Sequence, residues 1–295
     1  MNKKILAVAI GAAMVAPLAA QADMKISGRV AGEVVSADGN VGMYDFGNSR
    51  LQFDISDESG FYGRYAADIR LGRRDISTTG ANYAEDRDQY VGIKGSWGAF
   101  QAGRMAGAVK NIEGDAFIGT FLEYRNAFVK GGSNGSSSFV NNLIEYNNKF
   151  GDAKVVLQYD AMDGSADKGS YHASLKAKLA GANVFVGANK DESSAQGYYK
   201  LGGDMSFGDI NVNLIYENDE AFAGDEASFV VGGRMKMGGG MVDVSYSDKG
   251  ASRTAAAYRV GFYKKQSKKA HWWVGYTQNG SQAPGQAADT ASFGG

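Results

Sequence analysis

The side chains of this chain that could do chemistry are few. There is no cysteine, and His172 and His271 are the only histidines. Without cysteine, thiolate catalysis and cysteine metal sites are excluded. The two histidines lie too far apart in sequence for the H-E-x-x-H pair of a zinc hydrolase. A general base also needs a partner and a nucleophile within reach, and nothing in the pattern around either imidazole supplies them. We therefore expect no catalytic residues, no metal site and no cofactor. What remains is charge: Arg29, Arg50 and Arg104 on segments that read as strands, and Glu113 and Asp115 in the middle of a long irregular stretch. Acids and bases facing one another across a narrow opening set up a transverse field, and rings of charge at a constriction govern ion preference.

The elements that must position these charges are strands. Side chains alternate with period two along nearly all of residues 23–295, the mark of strands with two unlike faces. From Ser170 to Leu179, Tyr171, Ala173, Leu175, Ala177 and Leu179 oppose Ser170, His172, Ser174, Lys176 and Lys178. Residues 153–161, 198–207 and 227–237 repeat the pattern. Arg29 is in phase with Lys25 and Ser27, and Arg50 with Gln52 and Asp54, so both fall on the polar face. Arg104 shares a side with Phe100 and opposes Gln101, so parity leaves its face open.

Alternation alone fits a soluble sandwich, whose apolar face is a core, and a membrane barrel, whose apolar face meets lipid. Many segments run about nine to twelve residues, longer than the ~5–6 usual in soluble sheets and matched to the ~9–11 that cross a bilayer. Short connections, such as Ser96-Trp97-Gly98, Ala180-Gly181 and Gly238-Gly239-Gly240, take turns with longer polar ones. Seven turns and eight loops delimit sixteen strands, and a sandwich has no reason to sort its loops this way. The expected fold is all-β: a sixteen-stranded antiparallel transmembrane β-barrel. Its third loop, about residues 106–138, carries Glu113 and Asp115. That loop also holds the apolar residues Ala116, Phe117, Ile118, Phe121 and Leu122, which favour packing against something over free solvation.

The first 22 residues form a separate unit. Lys3 and Lys4, the apolar run Ile5 to Leu18 and the small-x-small Ala20-Gln21-Ala22 read as a cleaved secretory signal peptide. Residues 23–295 then form one domain. Removing Lys3 and Lys4 leaves 29 Lys and Arg against 32 Asp and Glu, a formal net charge of −3. That near balance argues against a nucleic-acid partner.

Several short motifs carry a family likeness. Ile26-Ser27-Gly28-Arg29 and Ser49-Arg50-Leu51 open the first two strands. Arg87-Asp88-Gln89-Tyr90-Val91-Gly92-Ile93-Lys94-Gly95 is followed by Gly98-Ala99-Phe100-Gln101-Ala102-Gly103-Arg104, and Asn142-Leu143-Ile144-Glu145-Tyr146 comes after the long loop. These resemble the general diffusion porins of Gram-negative outer membranes, the trimeric sixteen-stranded kind. The resemblance implies an outer-membrane channel for passive diffusion of small hydrophilic solutes and ions. It implies an inward-folded third loop, with Arg29, Arg50 and Arg104 as the basic wall of the eyelet and Glu113 and Asp115 as its acidic side. It also implies a homotrimer in contact with outer-membrane lipid and lipopolysaccharide. Two departures stand out. Phe139 occupies the place of a basic residue often found before the Asn142 position, and the chain ends Phe293-Gly294-Gly295 instead of on an aromatic.

Three other readings fit parts of the pattern. A sugar-selective channel would use an aromatic track, to which Phe185, Tyr198 and Trp273 could contribute by parity. A barrel hydrolase would use His172 or His271. Acidic loops (Asp191 and Glu192; Glu217, Asp219, Glu220, Asp225 and Glu226) could hold divalent cations against lipid phosphates.

Overall fold

The computed structural model describes residues 23–37, 39–44, 49–69, 84–110, 112–115, 117, 122, 139–161, 169–191, 197–220, 226–248, 256–279 and 289–294. The leader reading of residues 1–22 lies outside them, as do Ala116, Ile118, Phe121 and the loop acids Glu192 and Asp225.

Eighteen strand segments form a single antiparallel sheet. They are β1 (Asp23–Arg29), β2 (Glu33–Ala37), β3 (Asn40–Tyr44), β4 (Arg50–Ser56), β5 (Phe61–Ile69) and β6 (Ala84–Gly95). Then come β7 (Gly98–Ala106), β8 (Phe139–Phe150), β9 (Ala153–Asp160), β10 (Ser170–Leu179), β11 (Ala182–Asp191) and β12 (Gly197–Phe207). The series closes with β13 (Ile210–Asp219), β14 (Glu226–Met237), β15 (Gly240–Asp248), β16 (Ala257–Lys265), β17 (His271–Asn279) and β18 (Asp289–Gly294).

From β4 onward each strand pairs with the next. β18 pairs with β2, β2 with β3, and β1 with β4. The two segments beyond the sixteen strands expected from sequence arise at the start of the chain. There β1 gives way to β2 across Val30-Ala31-Gly32, and β3 to β4 across residues 45–49. Ser49, buried at this break, accepts from the Ala31 amide (3.0 Å) and donates to the Ala31 carbonyl (3.1 Å). Its hydroxyl supplies the bonds the interrupted ladder lacks.

The seven short connections are all present. They join β4–β5, β6–β7, β8–β9, β10–β11, β12–β13, β14–β15 and β16–β17, and antiparallel pairing puts them at one edge. Two are two-residue hairpins with positive φ at both positions, Ala180-Gly181 (50° and 85°) and Gly238-Gly239 (60° and 74°). That geometry matches the right-handed twist of the flanking strands.

Burial decides between the two architectures. The apolar rows face out: Leu175, Val186, Leu201, Leu214, Val231, Val244, Val260 and Val274 are all exposed, Leu214 by 56%. The opposite rows are covered and polar, among them His172, Asn189, Lys200, Glu217, Asp243, Ser245 and Arg259. In a water-soluble sandwich these assignments would be reversed. An exposed greasy face of this extent belongs against lipid. No helix among the described residues is long and apolar enough to cross a membrane; strands do the crossing here.

Candidate pore constriction

The chain leaving β7 turns at once onto the polar face of its neighbours. Gln158 on β9 controls the turn, accepting from the Ala108 amide (2.7 Å) and donating to the Ala106 carbonyl (2.9 Å) and to Glu145 (2.6 Å). Gln101 and Asn147 donate to the other oxygen of Glu145 (3.0 and 2.7 Å). This amide and carboxylate network lies on β7, β8 and β9, so the base of the loop is fixed to three strands. Val109 and Ile112 then bury themselves among Phe185, Tyr198, Ile215, Val230 and Ala257. These residues stand at polar-face positions on β11, β12, β13, β14 and β16. They form an apolar seat for the loop on an otherwise hydrophilic surface.

The two candidate acids come next. Glu113 accepts from Lys200 Nζ at 3.1 Å, with both side chains almost fully covered. Asp115 accepts from Arg259 Nη1 at 3.0 Å and caps the Phe117 amide at 3.1 Å. Arg259 also donates to Asp243 Oδ1 through Nη2 (2.7 Å) and Nε (3.1 Å), and to the Leu122 carbonyl (2.7 Å). The Phe117 ring lies 4.9 Å from its guanidinium carbon. Arg234 holds Asp243 Oδ2 (3.0 Å) and the Gly114 carbonyl (3.2 Å). Phe117 and Leu122 pack on Trp273, with Tyr263 beside them.

Two glycines make room for these anchors. A Cβ on Gly261 would sit 2.4 Å from the Phe117 ring, and one on Gly275 would sit 2.6 Å from Leu122.

The basic residues occupy another part of the sheet. Arg29 on β1 faces Arg50 on β4, which faces Asp68 on β5. Arg50 Nε donates to Asp68 Oδ1 at 3.0 Å, and Arg87 on β6 donates to Asp68 Oδ2. Arg104 keeps the parity of the exposed Phe100. It donates to the Asp86 and Phe139 carbonyls (both 3.2 Å) and to Asn141 Oδ1 (2.8 Å), tying the ends of β6 and β8 together.

The five candidates thus form two groups, Arg29 with Arg50 and Glu113 with Asp115, and Arg104 stands with strand ends. Sequence reasoning missed Lys200, Arg234 and Arg259, the direct charged partners of the loop, and Asp243, which holds the two arginines, as well as Asp68 and Arg87. Glycines and large apolar residues at polar-face positions were the available signal.

Both rival site readings lose their geometry. Phe185, Tyr198 and Trp273 are buried against loop residues, so they offer no open track for a sugar. Neither ring nitrogen of His172 has a hydrogen-bond partner, and His271 stacks beside Tyr263 and Trp273 (5.2 and 5.9 Å). Gly131-Gly132-Ser133-Asn134-Gly135 spells G-x-S-x-G, but it lies outside the described residues, in the loop between β7 and β8. The nucleophile motif requires a strand-to-helix turn. Among the described residues no group of three or more His, Asp and Glu side chains could hold a metal ion. Of the loop acids, Glu217 accepts from Tyr198 and Ser228 (2.7 and 2.8 Å), and Glu220 from the Gly197 amide (2.7 Å).

An all-antiparallel sheet with lipid-type outer rows, hydrophilic inner rows and a loop fastened to the inner rows defines a membrane channel of the outer-membrane type. The family described as Gram-negative porin matches residues 7–283, and the chain belongs to it. No curated protein sequence matches the chain. Among solved structures it is similar to OmpF of Salmonella typhi, in complex with daunomycin, at 14% identity and a TM-score of 0.71, covering 92% of this chain and 96% of that one. It is similar to the anion-selective porin from Comamonas acidovorans at 20% identity and a TM-score of 0.67, covering 93% and 98%. OmpT of Vibrio cholerae, in its trimer form, matches at 17% identity and a TM-score of 0.62, covering 93% and 98%. The protein is an outer-membrane β-barrel porin.

Proposed function

We propose that the sheet closes as a sixteen-stranded barrel and works as a non-enzymatic, non-specific pore for small hydrophilic solutes and ions. Counting β1 with β2 and β3 with β4 gives sixteen crossings, and the β18–β2 and β1–β4 pairings support closure. A barrel of that size leaves an aqueous lumen. The third loop folds into it and sets the bore.

One observation carries this reading. Loop residues Glu113 and Asp115 pair with Lys200 and Arg259, side chains of the covered polar face. Arg29 and Arg50 form the basic side of the eyelet. Arg104 supports it from the strand ends. Residues 1–22 act as the export leader. The barrel assembles as a homotrimer, in keeping with the trimer form of the similar Vibrio cholerae protein, and its outer rows contact lipid and lipopolysaccharide.

Liposome swelling with neutral sugars of increasing size tests the non-specific character. Rates should fall smoothly with solute radius and rise linearly with concentration. Saturation by one sugar, with stereoisomers of equal size excluded, would favour a selective channel and contradict the proposal.

A further inference from the structure

We propose that the hairpin joining β16 to β17 is a headgroup site for anionic phospholipid on the short-turn side of the barrel. Lys264, Lys268 and Lys269 meet the lipid phosphate, and Phe262 and Trp272 lie beside it against the acyl chains. The proposal rests on the outer-membrane placement of the barrel and goes beyond it in naming the lipid class, the leaflet and the residues.

Charge singles this turn out. Residues 264–269 read Lys-Lys-Gln-Ser-Lys-Lys. The six other short connections, residues 57–60, 96–97, 151–152, 180–181, 208–209 and 238–239, contain neither lysine nor arginine. Lys265, Lys268 and Lys269 are exposed and Lys264 is half-buried. Among the described residues no carboxylate lies within ion-pair distance of any of the four. The adjoining turn, Gly238-Gly239, has no side chain to offer, and Lys264 runs over it: a Cβ on Gly239 would stand 3.9 Å from its Nζ. Asp209, on the next turn, is already engaged by Lys236 at 3.6 Å. Four like charges within six residues repel one another unless an anion lies among them.

The local fold holds the turn without using the ammonium groups. Ser267 Oγ accepts from the amides of Lys269 (3.1 Å) and Ala270 (3.0 Å). The amides of Gln266 and Ser267 both donate to the Ala270 carbonyl (2.9 and 3.0 Å).

Register sorts the lysines. Lys264 faces Trp272 across the β16–β17 ladder, and Lys265 faces His271. Lys264 and Trp272 therefore share the outer face with Phe262 and with the exposed Val260 and Val274, whereas Lys265 has the lumen parity of Tyr263 and stands outside the site. Lys268 and Lys269 sit at the tip. The Phe262 and Trp272 rings are 5.3 Å apart, with Phe293 6.5 Å from Trp272, and Gly240 leaves the room that the Phe262 ring occupies.

Aromatic side chains of this kind settle at the headgroup level. A lysine level with them lays its stem along apolar surface and carries its ammonium into the phosphate layer. Lysine clusters beside a membrane attract anionic lipid, and phosphate oxygens accept charge-assisted hydrogen bonds from them. Short turns of outer-membrane barrels face the periplasm, so the lipid belongs to the periplasmic leaflet.

The test uses the full-length protein folded into phosphatidylcholine vesicles and reads tryptophan quenching by brominated lipid. The difference between wild type and Trp272→Phe isolates Trp272. At low salt, brominated phosphatidylglycerol should quench Trp272 as though enriched about tenfold over brominated phosphatidylcholine, the preference that a few surface lysines supply. Molar salt should reduce it. In Lys264→Gln/Lys268→Gln/Lys269→Gln the two lipids should quench alike. Lys149→Gln/Lys154→Gln/Lys178→Gln removes the same charge from exposed turn-side residues of lumen parity and should leave the preference unchanged. Equal quenching by both lipids in the wild type overturns the site, and that comparison decides even where a triple variant fails to fold. Equal loss in the two triple variants also overturns it, because diffuse charge then explains the preference. Poly-glutamate retained by the wild type in phosphatidylcholine vesicles, undiminished when phosphatidylglycerol is added, would give the hairpin to an acidic polypeptide and overturn the lipid assignment. A Trp272 that brominated phosphatidylcholine leaves unquenched would instead overturn the membrane placement on which the site rests.

Discussion

Arg259→Met will widen the pore and loosen the protein. Arg259 is wholly covered and holds Asp115, the Leu122 carbonyl and Asp243 at once, with Phe117 against its face. Removing the guanidinium frees the stretch between Asp115 and Leu122 and leaves two buried carboxylates short of a partner. Breaking a buried ion pair from one side costs about 3–5 kcal/mol; Asp243 retains Arg234 at 3.0 Å, so the lower end is expected. The readouts are single-channel conductance, which should rise, and thermal unfolding, which should move down. Adding Asp115→Asn should recover part of the stability, because one stranded charge is gone, but not the original conductance, because the fastening is still absent. Lost stability with unchanged conductance would show that the loop does not limit the current.

Leu214→Lys will separate a membrane sheet from a soluble one. Leu214 is 56% exposed in the middle of β13. In water, swapping an exposed leucine for lysine changes stability within about ±0.5 kcal/mol. Facing the bilayer midplane, the same change costs about 2–4 kcal/mol. Val260→Lys on β16, 48% exposed, repeats the test on a distant strand. Folding yield into lipid vesicles and the urea midpoint of the folded fraction should both fall for the two variants. Midpoints equal to wild type would remove lipid from the account of the outer face.

Period-two reading placed the strands, the seven short turns and the loop because each depends on local pattern. Parity of Leu175 against Ser174, or Val231 against Val230, needs only neighbouring residues. It also failed locally for the same reason. At Arg87-Asp88 on β6 and Asn141-Asn142 on β8, register shifts change which face a residue takes, and alternation cannot reveal a bulge that one extra residue creates. The loop's partners were harder still. Lys200 lies 87 residues from Glu113, and Arg259 lies 144 from Asp115. They meet only in the folded chain, where the loop residues lie against β12 and β16. The packing of Phe117 and Leu122 was legible as an apolar cluster in a polar loop. What they pack on was not, since Trp273 at a polar-face position reads equally as a lumen aromatic. The charges chosen from sequence were reasonable in type, but whether an acid is free or already paired depends on partners the local pattern does not contain.

Single-channel recording from purified protein in planar bilayers, comparing wild type with a deletion of residues 113–120, bears most directly on the claim of a water-filled pore narrowed by its third loop. Both should give discrete, ohmic current steps that scale with bulk conductivity, and the deletion should give larger ones. Silence from the wild type would contradict the channel, and steps of identical size would contradict the constriction.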